Sequence, residues 1–421
     1  MESETAVVSS GFESPEFLKE MLPSAQKTAL LYEISYLCLA KFPTLERIIR
    51  ANAVEAQMVF SSSEALLLMC VSTSDNMVKT LFPMLKAAVK KGDAVVATQF
   101  LAKAKMWIHD IIKEVEDIVN EYKKLNNGVA SATSDVILTK EQTDAKIKQM
   151  TAEKSGLQKM IDTYSQTLKE IQVKLNETTN QLNNAENEMQ NLVNSISSRN
   201  SKFGIFAAVV PFIGWIVDAG QKAVNNPKDQ AAIELAKTKV KKLQQEKSDM
   251  TSKEWQAQTE LMNHQMQLTR TSFELGAVPD PVHLAEVQMS LTRIQQILLK
   301  LKGFWEKIGV MVTSLEQKTF ASDNLVGYLN DPEYRDMFIS SLEDASKAWD
   351  AFKSGCRMVM GMFSVQSKDA YKFLETSPSS LSKEEWQKQY NAVTSKLEAF
   401  YPALQSKADS EKQKAIDAPK K

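Results

Sequence analysis

The 421-residue sequence contains few residues that interrupt helices, with only 13 glycines and 12 prolines. It contains no convincing alternating run of strand-forming residues flanked by hairpin turns. Methionine, lysine, glutamine and leucine, which all favour helices, are plentiful. The composition therefore predicts an all-α protein.

Cysteine is also scarce. The three cysteines, Cys38, Cys70 and Cys356, are far apart in the sequence. An odd number at such spacings indicates neither a disulfide framework nor a zinc site. We predict that each is a small buried apolar residue.

The residue patterns of known catalytic sites are missing. The sequence has no P-loop, GxGxxG, GxSxG or CxxC motif, and its three histidines are not at metal-ligand spacings. His109 and Asp110 are neighbours in the sequence, but such neighbours do not face each other on a helix. Carboxylates fall beside lysines on predicted solvated helix faces. We expect no enzyme activity, no metal site and no cofactor.

The sequence has no excess of either charge, with 51 basic and 52 acidic residues and a formal net charge of −1. This balance gives no electrostatic reason to expect a nucleic-acid partner. No run reaches the ~18 apolar residues of a spanning helix. The first 17 residues have neither the basic region nor the apolar region of a signal peptide. We expect a chain that is soluble when made and is released or secreted without a recognisable signal peptide.

One apolar segment lies within this polar sequence. Residues 203–217, FGIFAAVVPFIGWIV, are fifteen consecutive uncharged, mostly apolar residues between Lys202 and Asp218. A patch of this kind needs either a protein core or a membrane around it. The sequences on both sides of the apolar segment suggest where it lies.

Both flanks show the alternating three- and four-residue spacing of a coiled coil. The first arm carries Leu157, Ile161, Tyr164, Leu168, Ile171, Leu175, Thr178, Leu182, Ala185, Met189, Leu192 and Ile196. The second arm carries Ile233, Ala236, Val240, Leu243, Met250, Ala257, Leu261, Leu268 and Leu275. Its remaining seam positions are polar and make this arm weaker: Lys247, Glu254, His264 and Thr271.

The two arms have similar lengths, about 40 residues or ~60 Å of helix each. They predict an antiparallel coiled-coil hairpin with the apolar segment at its tip, far from the core that the rest of the chain builds. We predict an elongated helical bundle from residues 1–140 and 280–421, with the hairpin at 141–279 projecting from it. His264 is expected to be a partly exposed seam residue or, alternatively, a site whose protonation loosens the hairpin.

The apolar segment is too short for an ordinary spanning helix, because fifteen residues cover ~22 Å and the hydrocarbon core is ~30 Å thick. Glycine and proline favour a bend at Gly204, Pro211, Gly214 and Gly220. The predicted membrane-inserting residues are Phe203, Ile205, Phe206, Val209, Val210, Phe212, Ile213, Trp215, Ile216 and Val217. The cations predicted to face lipid headgroups are Arg199, Lys202, Lys222 and Lys228.

Two other interpretations of the apolar segment stay open. It could be a buried core element, since runs of ten to fourteen apolar residues are more often core than membrane, or a docking patch for another protein. A core segment in the soluble form and a membrane-active segment are compatible if the segment is released later.

The other helices carry their own boundary signals. Gly92 is expected to end one helix and Asp93 to cap the next. From Asp93 one helix could run to about residue 200, or it could break near Gly128. We expect an interruption near Pro23. Residues 65–71, ALLLMCV, are predicted to lie in the main core, with a second membrane segment as the lesser alternative.

This order of parts resembles the α-helical pore-forming toxins of the cytolysin A superfamily. The likeness is greatest to the two-component Xax/Yax type and looser to the subunits of haemolysin BL and the non-haemolytic enterotoxin. It is carried by the apolar segment with its glycines, by the two heptad arms and by the amphipathic stretch at residues 301–305, LKGFW.

The resemblance implies a pore-forming cytolysin or toxin component. A soluble form would rearrange, insert the apolar segment into a target membrane and assemble into a ring, as a homo-oligomer or with a second component. The alternative function is a structural coiled-coil scaffold or membrane-tethering protein that uses the apolar tip as a docking patch.

Overall fold

The computed structural model describes residues 15–144, 152–199, 226–275, 282–319, 332–368, 370–393 and 395–396. Over these residues every regular element is a helix, which confirms the predicted all-α class. The apolar segment lies outside the described residues.

The N-terminal part of the described chain consists of short and medium helices. A 3₁₀ helix, Pro15–Glu20, leads into α1, Met21–Cys38. Helix α2, Pro43–Asn76, begins with proline at its first position, where the missing N–H costs nothing. A π-helical turn, Met77–Leu81, joins it to α3, Phe82–Lys91. The expected interruption near Pro23 is seen as a change of helix type, because the 3₁₀ helix ends at Glu20 and α1 begins at Met21. Pro23 itself lies in the first turn of α1, where proline is tolerated.

Five long helices follow, and a shorter one closes the described chain. They are α4 at Ala94–Asp144, α5 at Ala152–Arg199, α6 at Pro227–Leu275, α7 at Val282–Thr319, α8 at Pro332–Lys368 and α9 at residues 383–393. The predicted boundary before α4 is confirmed. Gly92 has a left-handed φ of 70°, and the Val96 N–H donates to Asp93 Oδ1 at 3.1 Å.

Helices α1, α2, α4, α7 and α8 pack side by side as a bundle. Neighbouring long helices run antiparallel, as the contacts between their ends show. Along α4 and α7, Asn126 Nδ2 donates to Thr292 Oγ1 at 2.8 Å near one end, and Lys105 Nζ lies 2.6 Å from Glu316 Oε2 near the other.

The bundle core is rich in aromatic rings. Trp305 on α7 contacts Trp349 and Phe352 on α8, with ring centroids 5.5 and 5.8 Å apart. Cys38, Cys70 and Cys356 are all buried and form no disulfide, as the sequence predicted. Their role is packing, because burial raises the pKa of the Cys356 thiol well above its usual range.

Helices α5 and α6 form the predicted antiparallel hairpin. Contacts between them pair later residues of α5 with earlier residues of α6. From one end to the other these pairs are Arg199 with Asp229, Glu188 with Lys239, Thr178 with Met250, and Tyr164 with His264.

The sequence suggested a hairpin that projects from the bundle, but part of the hairpin packs against the bundle. Leu182, Met189 and Ile196 of α5 and Ile233 of α6 belong to the same continuous set of buried side chains as the bundle core. A smaller, separate cluster around Ile161 holds the two arms together farther from Arg199. Helix-to-helix contacts are dense within the hairpin and sparse between the hairpin and the bundle.

The alternative prediction of a helix break near Gly128 is wrong, because α4 continues through this residue to Asp144. The glycine is explained by a close approach to α2. A Cβ added at Gly128 would lie 2.5 Å from Asn52 Oδ1, and Asn52 is itself buried and donates to the Ile48 carbonyl. Residues 145–151, between α4 and α5, lie outside the described residues.

Residues 65–71 are largely buried, since Leu66, Leu67, Cys70 and Val71 all lie in the core. The surrounding stretch Pro43–Lys91 is long and apolar enough to cross a membrane by length and composition, with 44% of its most apolar window buried. One such helix is weak grounds for a membrane span, because core helices of soluble proteins meet the same criteria. The predicted core role of residues 65–71 is confirmed by their burial.

The contact at Gly128 generates a prediction about stability. Alanine favours a helix over glycine by about 1 kcal/mol, but the methyl group would displace Asn52 and cost about 1–3 kcal/mol. We expect Gly128→Ala to lower the free energy of unfolding, as measured by urea titration with circular dichroism. In an Asn52→Ala background the same change should raise it by about 0.5–1 kcal/mol. Equal effects in both backgrounds would contradict this explanation.

Candidate functional site

The hairpin is the candidate functional site, and the structure describes its two arms. The predicted inserting residues at positions 203–217 lie outside the described residues, as do Gly220, Lys202 and Lys222. Of the predicted headgroup-facing cations, Arg199 and Lys228 are described. Both are exposed at the end of the hairpin where residues 200–225 connect the arms.

The ends of the two arms lie against each other. Arg199 Nη2 is 3.2 Å from Asp229 Oδ1, so one of the predicted headgroup-facing cations is paired within the hairpin. Helix α6 begins with Pro227, and the Lys228 N–H donates to Asn226 Oδ1 at 3.0 Å. The described chain therefore ends at Arg199 and resumes at Asn226 at the same end of the hairpin.

A seam of apolar side chains holds the arms together. On α5 the buried residues are Ile161, Leu168, Leu175, Leu182, Ala185, Met189, Val193 and Ile196, and on α6 they are Ile233, Val240, Leu243, Ala257 and Leu261. Val193 is buried where the sequence pattern had placed Leu192, which is only half buried. Five other residues of the predicted seam are likewise only half buried, namely Leu157, Tyr164, Ile171, Ala236 and Met250.

Two polar seam positions are accommodated by partners within the hairpin. Thr178 is buried and its hydroxyl contacts Met250 Sδ at 3.4 Å. The His264 ring stacks on Tyr164 with centroids 5.4 Å apart, and its Nδ1 has no hydrogen-bond partner among the described residues. His264 is partly buried at the seam, which is where the sequence placed it.

The charged seam positions have a role that the sequence analysis missed. Lys247 Nζ lies 2.6 Å from Glu20 Oε2, in the 3₁₀ helix before α1. Glu254 is buried and accepts a hydrogen bond from Arg293 of α7. Both residues therefore join the second arm to the bundle. The sequence showed them only as weak positions in the seam, because the heptad pattern says nothing of a third helix.

The first arm brings a buried carboxylate to the same contact. Glu186 of α5 is only 8% exposed, and its Oε2 has no hydrogen-bond partner among the described residues. Burial raises the pKa of Glu186 to about 7, against the opposing attraction of Lys300, Lys247 and Lys307. Burial likewise lowers the pKa of Lys307 to about 8, although Glu186 opposes this shift.

The rest of the described surface offers no arrangement typical of catalysis. His109 and Asp110 are both exposed on α4, where His109 helps to line an open groove of ≈ 470 Å³ between α4 and α7. Ile108, Ile112 and Val310 form much of the groove wall. Among the described residues, no group of three or more His, Cys, Asp and Glu side chains is placed to hold a metal ion.

Comparisons with protein-family models and with curated protein sequences find no match. Solved structures do match. SmhA, of the tripartite α-pore-forming toxin Smh from Serratia marcescens, is 13% identical with a TM-score of 0.37, covering 84% of this chain and 96% of SmhA. The HblL1 toxin component of Bacillus cereus is 12% identical with a TM-score of 0.24, covering 90% and 97%.

A third match is XaxB from Xenorhabdus, 10% identical with a TM-score of 0.16, covering 93% of this chain and 98% of XaxB. Of these three similar structures, SmhA belongs to a toxin named as α-pore-forming and HblL1 is named as a toxin component. With identities and TM-scores this low, the likeness carries no argument about what this chain does.

The buried hydroxyl of Thr178 generates a prediction about the hairpin. Its contact with a thioether is a weak hydrogen bond, so replacing it by an apolar group of the same shape should be neutral or stabilising. We expect Thr178→Val to raise the free energy of unfolding by about 0.5–1 kcal/mol. The matched control is Thr163→Val on the exposed face of α5, which should give no gain. A loss of stability in Thr178→Val, measured by urea titration, would refute this.

Proposed function

We propose that the protein is a pore-forming toxin or toxin component that inserts residues 203–217 into a target membrane. The observation that supports this most is the position of this segment. It connects two antiparallel arms whose ends meet at Arg199 and Asp229, so an uncharged apolar segment of fifteen residues is presented at one end of a long hairpin.

The apolar segment has enough hydrophobic surface for membrane insertion. Its ten larger apolar residues could contribute ~15–30 kcal/mol if all were buried in lipid, at about 1.5–3 kcal/mol each, before the cost of ordering. Its length of ~22 Å is short of the ~30 Å hydrocarbon core. It would therefore enter as a bent or re-entrant segment, with the bend at Pro211 and Gly214.

A single such segment cannot enclose a pore, so the proposal includes assembly of several copies or of this chain with a second component. In this scheme the hairpin at 141–279 is the membrane-active part. The bundle from 1–140 and 280–421 holds it in the soluble form. The partners are the target lipid membrane and other protomers, and the protein passes from a soluble to a membrane-bound state.

Charge placed in the apolar segment tests the proposal. Val210→Asp and Ile213→Asp put a carboxylate where lipid should surround it, at a cost of about 2.5–3.5 kcal/mol at the membrane centre. We expect both variants to lose flotation with liposomes and dye release while keeping the parent circular dichroism spectrum. The matched control is Val173→Asp, since Val173 lies on the first arm and is 57% exposed.

The control variant should bind and permeabilise liposomes as the parent does. Flotation needs no second component and is measured with both anionic and neutral vesicles. If the apolar-segment variants float and release dye like the parent, the segment is not the inserting element. If the parent does not float at all and instead forms a dimer that Ile213→Asp dissociates, the scaffold function is correct.

A further inference from the structure

The contact between the hairpin and the bundle is built around charged groups. Glu186 of α5 and Lys247 of α6 face Glu20 from the N-terminal 3₁₀ helix and Lys300 and Lys307 from α7. We call these five residues the interface charge cluster. It brings two carboxylates and three ammonium groups together where each arm of the hairpin meets the bundle.

Glu186 is the most deeply buried member of this cluster. Glu20 has a close partner in Lys247, with the two charged atoms 2.6 Å apart. Glu186 is 8% exposed and leaves one carboxylate oxygen without a hydrogen-bond partner among the described residues. A buried charge that is incompletely paired lowers the stability of the state that buries it. Separation of the hairpin from the bundle would return this carboxylate to water.

We propose that ionisation of Glu186 favours release of the hairpin from the bundle, so that the hairpin is held most firmly in mild acid and most weakly near neutral pH. The inference concerns the protein in solution, and it holds whether or not residues 203–217 enter a membrane. Protonation of Glu186 would then control how firmly the hairpin is attached to the bundle, while the seam between the two arms stays unchanged.

The sign follows from linkage. A carboxylate with an ordinary pKa near 4.5 in the released state and about 7 in the docked state binds more protons when docked. The docked state is therefore favoured below pH 4.5, and this advantage is lost as the pH rises through about 7. Lys307 has the opposite dependence. Its pKa is about 8 in the docked state and has its ordinary value of 10.5 in the released state. Lys307 therefore favours docking only as the pH rises above 8. Docking is weakest between these two values.

Thiol labelling in solution, without lipid, can measure release. Met289 of α7 packs against the hairpin, with Sδ 2.8 Å from Gln172 Nε2. Met289 is half buried under the hairpin, so a Met289→Cys thiol should react with a maleimide faster when the hairpin leaves the bundle. The native Cys38, Cys70 and Cys356 are buried, so their labelling in the same sample reports global unfolding. Rates are divided by those of a short cysteine peptide at each pH, which removes the change in thiolate fraction.

We expect the corrected rate at Met289→Cys to rise on the order of tenfold between pH 5.5 and 8, since each pKa unit corresponds to a tenfold change in the equilibrium. Adding Glu186→Gln should abolish the rise with pH and make the rate at least tenfold slower at pH 8. Only a shallow fall toward pH 8 should remain, because Lys307 loses its proton there and docking strengthens. The matched control is Glu188→Gln, two residues along α5, where an exposed carboxylate pairs with Lys239 inside the hairpin. It should keep the parent pH profile.

Three results would overturn the proposal. The first is a corrected rate that is flat or falls with pH in the Met289→Cys parent. The second is a Glu186→Gln profile that matches the Glu188→Gln profile. The third is labelling at position 289 that is no faster than labelling of the native cysteines. If Glu186→Gln does not give the parent circular dichroism spectrum, Glu186→Met replaces it. That variant removes the same charge with an apolar side chain of similar size, and the same slow profile without a rise toward pH 8 is expected.

Discussion

The antiparallel seam between α5 and α6 is the constraint on which the rest of the structure depends. Because its contacts pair the end of α5 with the beginning of α6, the chain between them must turn back at one end. The two arms therefore end side by side where the chain continues into the apolar segment. Without the seam, nothing would bring the two ends of these fifteen residues together.

The contact between the hairpin and the bundle differs in composition from the contact between the two arms. Apolar side chains fill the seam, whereas the contact with the bundle combines apolar side chains with charged groups at Lys247, Glu254 and Glu186. An apolar interface is stable over a wide range of pH, but a buried ionic one depends on the protonation state of each member. In the proposed release, the hairpin would leave the bundle while the seam between its own arms stays intact.

Much of the fold follows from periodicity. The heptad spacing of residues such as Leu168, Leu182 and Val240 predicted the two arms and their pairing, because the pattern of burial along a helix is local. Predictions that depended on a neighbouring helix were less reliable. Gly128 suggested a break, whereas the helix continues and the glycine makes room for Asn52. The polar seam positions suggested weakness, whereas Lys247 and Glu254 reach partners outside the hairpin.

By itself the sequence determined the all-α class, the two arms, the buried cysteines and the existence of an apolar segment between the arms. These properties depend on helix propensity, on apolar spacing and on the absence of helix-breaking residues, all of which are local. Only the tertiary structure decided how the hairpin lies on the bundle and which charges meet there. Glu20, Glu186, Lys247 and Lys300 are far apart in the chain, and their association depends on the packing of separate helices, which no local pattern encodes.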